Sequence, residues 1–130
     1  MPRVNPSLEG KVYPPTSFEV TPDRVAAFRA LFGQSEGVPP TFATVAEFAA
    51  FPPLIDDPDL GLDFSRVLHG SQEYEYRRPL REGETLTATL RIDAINVKGG
   101  NGFLSVVMDL VGDDGVTACT ARSTLIERLA

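Results

Sequence analysis

Hydrophobic positions crowd together in one segment near the middle of the chain. Between residues 42 and 51, only Thr44 and Glu47 interrupt a run of phenylalanine, alanine and valine. A helix on a protein surface carries a single apolar stripe, so a helix that is apolar on nearly every side has to be surrounded by other structure. The pattern therefore predicts a buried helix over residues 42–51, ended by the proline pair that begins at Pro52, because proline lacks the helical N–H.

A second helix is predicted upstream, over residues 22–33. Thr21 can accept an N–H at its beginning, Pro22 suits the first helical position and Gly33 suits the end. Its apolar residues recur at helical spacing: Val25, Phe28, Leu31 and Phe32. Ahead of this helix, residues 11–20 read as an extended segment, which two prolines restrict to an edge or irregular strand at best.

The second half of the chain changes to a period of two. Apolar and polar residues alternate, with many β-branched side chains, which is typical of strands. Four long strands are predicted: Leu68–Pro79, Glu84–Val97, Phe103–Gly112 and Val116–Arg128. Turn residues lie between them at 81–84, 98–102 and 112–115, so the expected arrangement is an antiparallel meander.

Helices followed by antiparallel strands indicate an α+β architecture, with the helices on one face of the sheet. We expect a single domain over residues 1–130, in which a curved antiparallel sheet wraps around the central helix at 42–51. One such sheet leaves an open edge, which favours dimerisation by continuing the sheet into a second subunit.

Composition narrows the classes of function. The formal net charge of −6 argues against a nucleic-acid surface, which needs clustered positive charge. No apolar stretch reaches the roughly 20 residues that span a bilayer, and no signal peptide is visible, so a cytoplasmic protein without membrane contact is expected. One cysteine and one histidine exclude a zinc site built from His and Cys, and no metal is expected. Asp56, Asp57 and Asp59 are expected to be solvated in a loop.

A curved antiparallel sheet around one helix is the hot-dog fold, and three segments resemble one branch of it. These are the helix at 22–33, the VPPTF motif at 38–42 and the pattern HG-Q-E-EY-RP-L-GE-L at 69–86. Together they resemble the MaoC-like dehydratase family, specifically its N-terminal (FAS1-like dehydratase) hot-dog domain. The resemblance runs from about Gly10 to Leu129.

This resemblance implies acyl thioesters of coenzyme A or acyl carrier protein as ligands, in fatty acid or polyketide metabolism. The reaction it implies is reversible loss of water from an (R)-3-hydroxyacyl thioester, which gives the trans-2-enoyl thioester. No cofactor is expected beyond the coenzyme A or phosphopantetheine of the substrate itself.

One part of the family pattern is missing. Catalytic members carry an Asp and a His in a Gly-Asp-x-Asn-Pro-x-x-His-type loop after the first helix, whereas residues 33–38 contain neither. We therefore predict no catalytic residue here. The chain resembles the non-catalytic half that shapes the acyl tunnel, acting as a homodimer or as a heterodimer with a catalytic MaoC-like subunit.

Two other functions remain open at this stage. The first is an acyl-thioester binding or scaffolding protein without turnover. The second is a hot-dog thioesterase, which would need a carboxylate near the central helix. Glu47 is the only carboxylate on that helix, and it is expected to face a partner or a gap in the surrounding sheet.

The predicted substrate-binding residues begin at the start of the central helix. The first N–H groups of a helix have no partner within it, and the helix dipole favours negative charge there, so a thioester oxygen could be polarised at this point. The residues concerned are Pro40, Thr41, Phe42 and Ala43. The alternative is that Thr41 or neighbouring carbonyls simply cap this end.

Three further residues complete the predicted substrate-binding set. His69 is the only imidazole, although a structural role is the favoured alternative for a lone histidine. Gly70 beside it would permit close approach of a backbone. Arg78, within a group of three arginines, could dock the phosphates of coenzyme A or phosphopantetheine. The alternative for the arginines is pairing with Glu82 and Glu84.

Overall fold

The computed structural model describes residues 2–33 and 37–129, in which three helices lie on one side of a five-stranded sheet. The helices are α1 (Pro22–Phe32), α2 (Ala43–Ala49) and α3 (Pro52–Ile55). The strands are β1 (Thr16–Glu19), β2 (Val67–Tyr76), β3 (Thr85–Lys98), β4 (Asn101–Val111) and β5 (Thr117–Glu127). Short 3₁₀ turns occupy Pro6–Leu8, Pro40–Phe42 and Phe64–Arg66. The four long strands and both helices of the sequence analysis are present.

The sheet is antiparallel throughout, in the order β1-β3-β4-β5-β2. Strands β3, β4 and β5 form a meander, but the predicted pairing of β2 with β3 is wrong. Both sides of β3 are occupied, by β1 and by β4, so the hydrogen-bonding groups of β2 pair with β5 instead. Residues 77–84 therefore do not make a hairpin turn. They carry the chain from one edge of the sheet back to the middle.

The two edges of the sheet differ in length. The segment at 11–20 forms the short edge strand β1 and one isolated bridge from Val12 to Arg91, as its prolines predict. At the other edge, β2 runs for 10 residues. An unpaired strand of that length is a template for another strand, so the long edge is the one that needs covering.

Helix α1 is capped as its sequence predicts. Thr21 Oγ1 accepts a hydrogen bond from the N–H of Arg24 at 3.2 Å, and Gly33 ends the helix with a φ of 68°. Val25 is completely buried, and the ring of Phe28 meets that of Phe42 edge-on, with 5.5 Å between centroids. The helix therefore covers the beginning of the central helix.

The central segment is shorter and less enclosed than predicted. Helix α2 ends at Ala49, and Pro52 begins α3 instead of only ending the helix before it, because proline is well suited to a first helical position. Phe42 and Phe51 are buried against the sheet, but Phe48 is 54% exposed. The sheet encloses one side of this helix, and the opposite side is left open.

A buried carboxylate holds the end of β5 to the rest of the fold. Glu127 has no solvent exposure, and its oxygens accept backbone N–H bonds from Arg3, Val4 and Asp63 at 2.5, 3.0 and 2.7 Å. Three N–H donors satisfy the hydrogen-bonding oxygens of this buried side chain. Glu127 therefore fastens both the N-terminal segment and the loop before β2.

The expectation that the loop aspartates are simply solvated is wrong for Asp57. Its carboxylate is 6% exposed, lies 2.6 Å from Lys11 Nζ and accepts a hydrogen bond from the Tyr13 hydroxyl at 2.7 Å. The hydrogen bond from Lys11 lowers the pKa of Asp57, against the effect of burial. Burial and the bond to this carboxylate raise the pKa of Tyr13.

Asp57→Asn should make the stability of the protein less dependent on acidic pH. A carboxyl whose pKa is lowered by folding stabilises the fold above its unfolded value of about 3.9, and this stabilisation is lost as pH falls through the lowered value. We expect the variant to be less stable than wild type at neutral pH and the difference to shrink on acidification. Urea unfolding at a series of pH values measures this, with the exposed neighbour changed in Asp56→Asn as control. A difference that does not vary with pH would contradict it.

Candidate functional site

The candidate site is the seam between β2 and the central helix. Alternate residues of a strand point to the same face, and on β2 the residues that face the helix are Tyr76, Tyr74 and Gln72. The register with β5 shifts between His69 and Ser71, so His69 also turns to the helix side of the sheet. Three chemically different regions follow one another along this seam: a mouth, a buried polar cluster and an apolar groove.

The mouth lies where Tyr76 meets the start of the central helix. The Tyr76 hydroxyl donates a hydrogen bond to the carbonyl oxygen of Pro40. A cavity of about 360 Å³ opens beside this contact, lined by Val38, Pro40, Tyr76, Arg77, Arg78, Pro79 and Leu80. Pro40 and Arg78, both predicted from sequence to bind substrate, therefore border the same cavity.

The side chain of Arg78 pairs with acidic residues of the protein itself. Its guanidinium forms a bidentate pair with Glu84, at 2.7 and 3.0 Å, and lies 3.7 Å from Asp114. Burial is the largest single influence on the pKa of Glu84 and raises it, but the hydrogen bonds from Arg78 and from the Arg81 N–H, together with the two positive charges, lower the pKa overall. The pairing alternative is thus the one observed for Arg78, and Arg77 and Arg81 are the exposed members of the group.

The start of the central helix is capped by its own neighbours. The N–H of Phe42 donates to the carbonyl of Pro39 at 2.9 Å, and the N–H of Ala43 donates to the carbonyls of Pro40 and Thr41. Phe42 and Ala43 are also fully buried, whereas Thr41 and Pro40 are exposed. The capping alternative is the one observed, so contact with a ligand at this end would fall to the exposed pair.

The polar cluster surrounds Glu47. The prediction that this residue faces a partner or a gap is wrong, because its side chain points into the fold and is 1% exposed. Its Oε1 accepts the Tyr74 hydroxyl at 2.7 Å, and its Oε2 lies 3.2 Å from Gln72 Nε2 and 3.0 Å from Ser123 Oγ. The sequence signal was present, since a lone carboxylate within an apolar helix has to be hydrogen-bonded when buried.

The apolar groove follows on the far side of the cluster. It encloses about 240 Å³ and is lined by Phe48, Phe51, Ile55, Phe64, Val67, His69 and Leu125. His69 is exposed at this groove, where its ring lies among apolar side chains. The groove is where the open side of the central helix meets β2.

Gly70 has a packing role in this structure. A Cβ atom at this position would lie 2.8 Å from Cδ1 of Ile126 on β5, closer than real side chains approach. The close approach predicted from the glycine is thus to a side chain of the protein itself. The predicted binding residues are brought to two places, with Pro40, Thr41 and Arg78 near the mouth and His69 at the groove.

Among residues 2–33 and 37–129, no helix is long and apolar enough to cross a membrane. Within the same part of the chain, no three His, Cys, Asp or Glu residues are grouped closely enough to hold a metal ion. Cys119 is buried on β5, and burial raises the pKa of its thiol to about 11.

Comparison with known proteins gives a consistent family. A family model described as the FAS1-like, dehydratase domain region matches residues 23–118. A UPF0336 protein of Saccharopolyspora erythraea is 34% identical over 140 residues, covering 94% of this chain and 90% of the relative. Another, from Streptomyces coelicolor, is 35% identical over 142 residues and covers 95% of both chains.

Solved structures share the fold at low sequence identity. A chain of the C-terminally truncated HadBC (3R-hydroxyacyl-ACP dehydratase) complex of Mycobacterium tuberculosis has a TM-score of 0.76 at 18% identity, over 92% of this chain and 96% of that one. The (R)-hydratase from A. caviae has a TM-score of 0.65 at 18% identity, over 94% and 96%. The chain has the hot-dog fold and belongs to the FAS1-like dehydratase domain family.

Proposed function

We propose that this protein is the acyl-binding subunit of an (R)-specific 3-hydroxyacyl-thioester dehydratase, and that a partner subunit supplies the catalytic Asp and His. Removal of water needs a group that takes the C2 proton and protonates the leaving hydroxyl. The observation that carries the proposal is a seam with a mouth bordered by two arginines and an apolar groove, and the histidine lies among the apolar side chains of that groove. The seam supports binding of an acyl chain. Among the residues that the structure describes, no acidic residue lines the groove beside His69, so His69 has no carboxylate there to form an acid–base pair with.

The groove suits an alkyl chain. Its aromatic and aliphatic walls would remove CH₂ groups from water, which stabilises binding by about 0.8 kcal/mol for each group buried. At the other end, exposed Arg77 and Arg81 near the mouth could contact the phosphates of coenzyme A or of a carrier protein's phosphopantetheine. A thioester lying along the seam would thus have its polar head near Pro40 and its tail beside Phe48.

The partner would join at β2. This edge is ten residues long and free of proline, whereas β1 has four residues and follows two prolines. A sheet edge of this kind is stabilised when another strand continues it. The absence of Asp and His from residues 33–38 favours a catalytic MaoC-like subunit as the partner over a second copy of this chain.

Reconstitution of the activity tests the proposal. The purified chain would be incubated with crotonyl-coenzyme A, alone and together with a MaoC-like subunit that carries the Asp/His loop. We expect loss of enoyl absorbance only when both subunits are present, with no release of free thiol. Hydration by this chain alone would contradict the assignment of catalysis to the partner. Binding without turnover in every assembly would favour the scaffolding alternative.

Thiol release would favour the thioesterase alternative, but the geometry argues against it. A hydrolase of this fold would use an accessible carboxylate near the central helix. Glu47 is on that helix but is sealed from solvent, and its oxygens are occupied by Tyr74, Gln72 and Ser123.

Phe48→Asp should weaken binding of a long acyl thioester by tenfold or more. The variant places a charge on the wall of the groove, and an alkyl tail covering it would have to desolvate that charge. Titration with octanoyl-coenzyme A measures the affinity, and urea unfolding checks the fold. Leu31→Asp is the matched control, because Leu31 is 78% exposed on α1 and does not line the groove. Equal affinities of the two variants would contradict the placement of the acyl chain.

A further inference from the structure

The buried carboxylate of Glu47 has only neutral partners. Among the described residues, the ion pairs of the protein all involve other acidic groups. The hydrogen-bond donors at Glu47 are a phenol, an amide and a hydroxyl, from Tyr74, Gln72 and Ser123. Burying a carboxylate without a cation is unfavourable. A fully hydrogen-bonded group of this kind fixes the orientation of the side chains that donate to it.

The cluster extends to a fifth residue nearer the ligand path. The Tyr74 hydroxyl is 2.7 Å from Glu47 Oε1 and also 2.8 Å from Thr44 Oγ1. Thr44 and Tyr74 are only partly buried, whereas Glu47 is sealed. The three groups form a chain that runs from the interior of the fold to the seam.

The direction of hydrogen bonding along this chain is determined by chemistry. The Tyr74 hydroxyl donates to Glu47 Oε1, and a phenol has a single O–H to donate. Thr44 therefore has to be the donor in its contact with Tyr74. Burial raises the pKa of Tyr74, which keeps its proton in place. The proton of Thr44 is then committed to Tyr74, and the Thr44 oxygen can act towards any further group only as an acceptor.

The position of Thr44 along the seam determines which part of a bound thioester would contact it. Tyr76, at the mouth, and His69, at the groove, lie on either side of Tyr74 along the same face of β2. A thioester that runs from mouth to groove would have the carbons next to its thioester group beside Thr44. This placement rests on the function proposed above.

We propose that Glu47 and Tyr74 orient the hydroxyl of Thr44 as a hydrogen-bond acceptor that selects a 3-hydroxyacyl thioester over its 3-oxo and saturated counterparts. A 3-hydroxyl group has an O–H to donate to Thr44. A 3-oxo group can only accept a hydrogen bond, so two acceptors would face each other. A saturated chain has neither a donor nor an acceptor at this carbon. Thr44 is the specificity residue, and Glu47 and Tyr74 act through it as positioning residues.

Three coenzyme A thioesters of equal length test the proposal: (R)-3-hydroxyoctanoyl, octanoyl and 3-oxooctanoyl. Titration of the full chain should give the highest affinity for the hydroxy compound, about three- to tenfold above octanoyl, which is the range expected for one hydrogen bond. The oxo compound should bind most weakly.

Two variants should change this order in different ways. Thr44→Val should remove the preference for the hydroxy compound, and Thr44→Ser should restore it. Tyr74→Phe leaves the Thr44 proton free to donate, so the affinity for the oxo compound should rise relative to octanoyl. A merely structural tyrosine would not produce such a selective gain. Thr87→Val, an exposed change on β3, should keep the wild-type order.

The possible failures are distinguishable. Equal affinities of the wild-type chain for the three thioesters would overturn this inference and leave the proposed acyl-binding function standing. An unchanged order in a folded Tyr74→Phe variant would overturn the role of the tyrosine in orienting Thr44. Failure of the wild-type chain to bind any of the three would overturn both proposals.

Discussion

Phe42→Ala is expected to lower the free energy of unfolding by about 3–5 kcal/mol, the range for truncating a buried phenylalanine. Phe42 has no solvent exposure, and its ring contacts those of Phe18 and Phe28, with centroids 6.2 and 5.5 Å away. It therefore joins β1, α1 and the start of the central helix. The alanine variant would leave a cavity among three elements that cannot all collapse onto it. Urea unfolding followed by circular dichroism measures the loss.

Phe48→Ala is the matched control for this change. It removes the same ring from the same helical segment, but at a position that is 54% exposed. We expect it to cost about 1 kcal/mol or less, since surface substitutions usually have small effects. Equal losses for the two phenylalanines would show that the helix is not packed against the sheet in the way described, and would remove the basis for the open groove beside Phe48.

Arg78→Met should be the second strongly destabilising change, by about 3–5 kcal/mol, because it leaves a buried carboxylate without its cation. The side chains of Arg78 and Glu84 are 13% and 7% exposed, and Gly112 packs so closely that a Cβ there would lie 2.7 Å from a Glu84 oxygen. Little water can reach the orphaned carboxylate. Chemical unfolding at neutral pH measures the effect. It should weaken at acidic pH, where Glu84 takes up a proton.

Arg77→Met separates stability from ligand binding at the same mouth. Arg77 is exposed, so its loss should hardly affect unfolding. If the exposed arginines contact the phosphates of coenzyme A, this variant should weaken binding of an acyl-coenzyme A while the fold stays intact. A large stability loss for Arg77→Met and none for Arg78→Met would reverse the assignment of the structural pair.

The elements of the fold were predictable because each depends on local chemistry. Thr21, Pro22 and Gly33 mark the ends of α1 by capping and backbone geometry, which act within a few residues. Alternation along β3 reports which face is buried, because strand side chains point to opposite sides in turn. The MaoC-like resemblance came from motifs that lie in these same elements.

The pairing of β2 was not predictable in the same way. Residues 81–84 have the composition of a hairpin turn, and a turn signal says nothing about whether the strands it joins are neighbours. The pairing is a competition for the edges of β3, which β1 and β4 win. The pairing of β1 with β3 joins residues about 70 positions apart in the sequence, such as Thr16 and Ala88.

The candidate site was predicted only in part for the same reason. Pro40 and Thr41 are exposed near the mouth, but Phe42 and Ala43 are buried, because hydrophobicity shows that a helix packs and not which side of it packs. Glu47 stands out in the sequence as an isolated carboxylate, but its side chain points into the fold and not outwards as expected.

The sequence by itself determined that this protein is an α+β hot-dog domain. Periodicity, capping and composition are local quantities, and they suffice for that conclusion. The tertiary structure alone decided that Tyr74, Gln72 and Ser123 converge on Glu47, and that Arg78 is held by Glu84. These contacts join residues from β2, β5 and the central helix. No short-range sequence pattern predicts which distant donor will hydrogen-bond to a buried carboxylate.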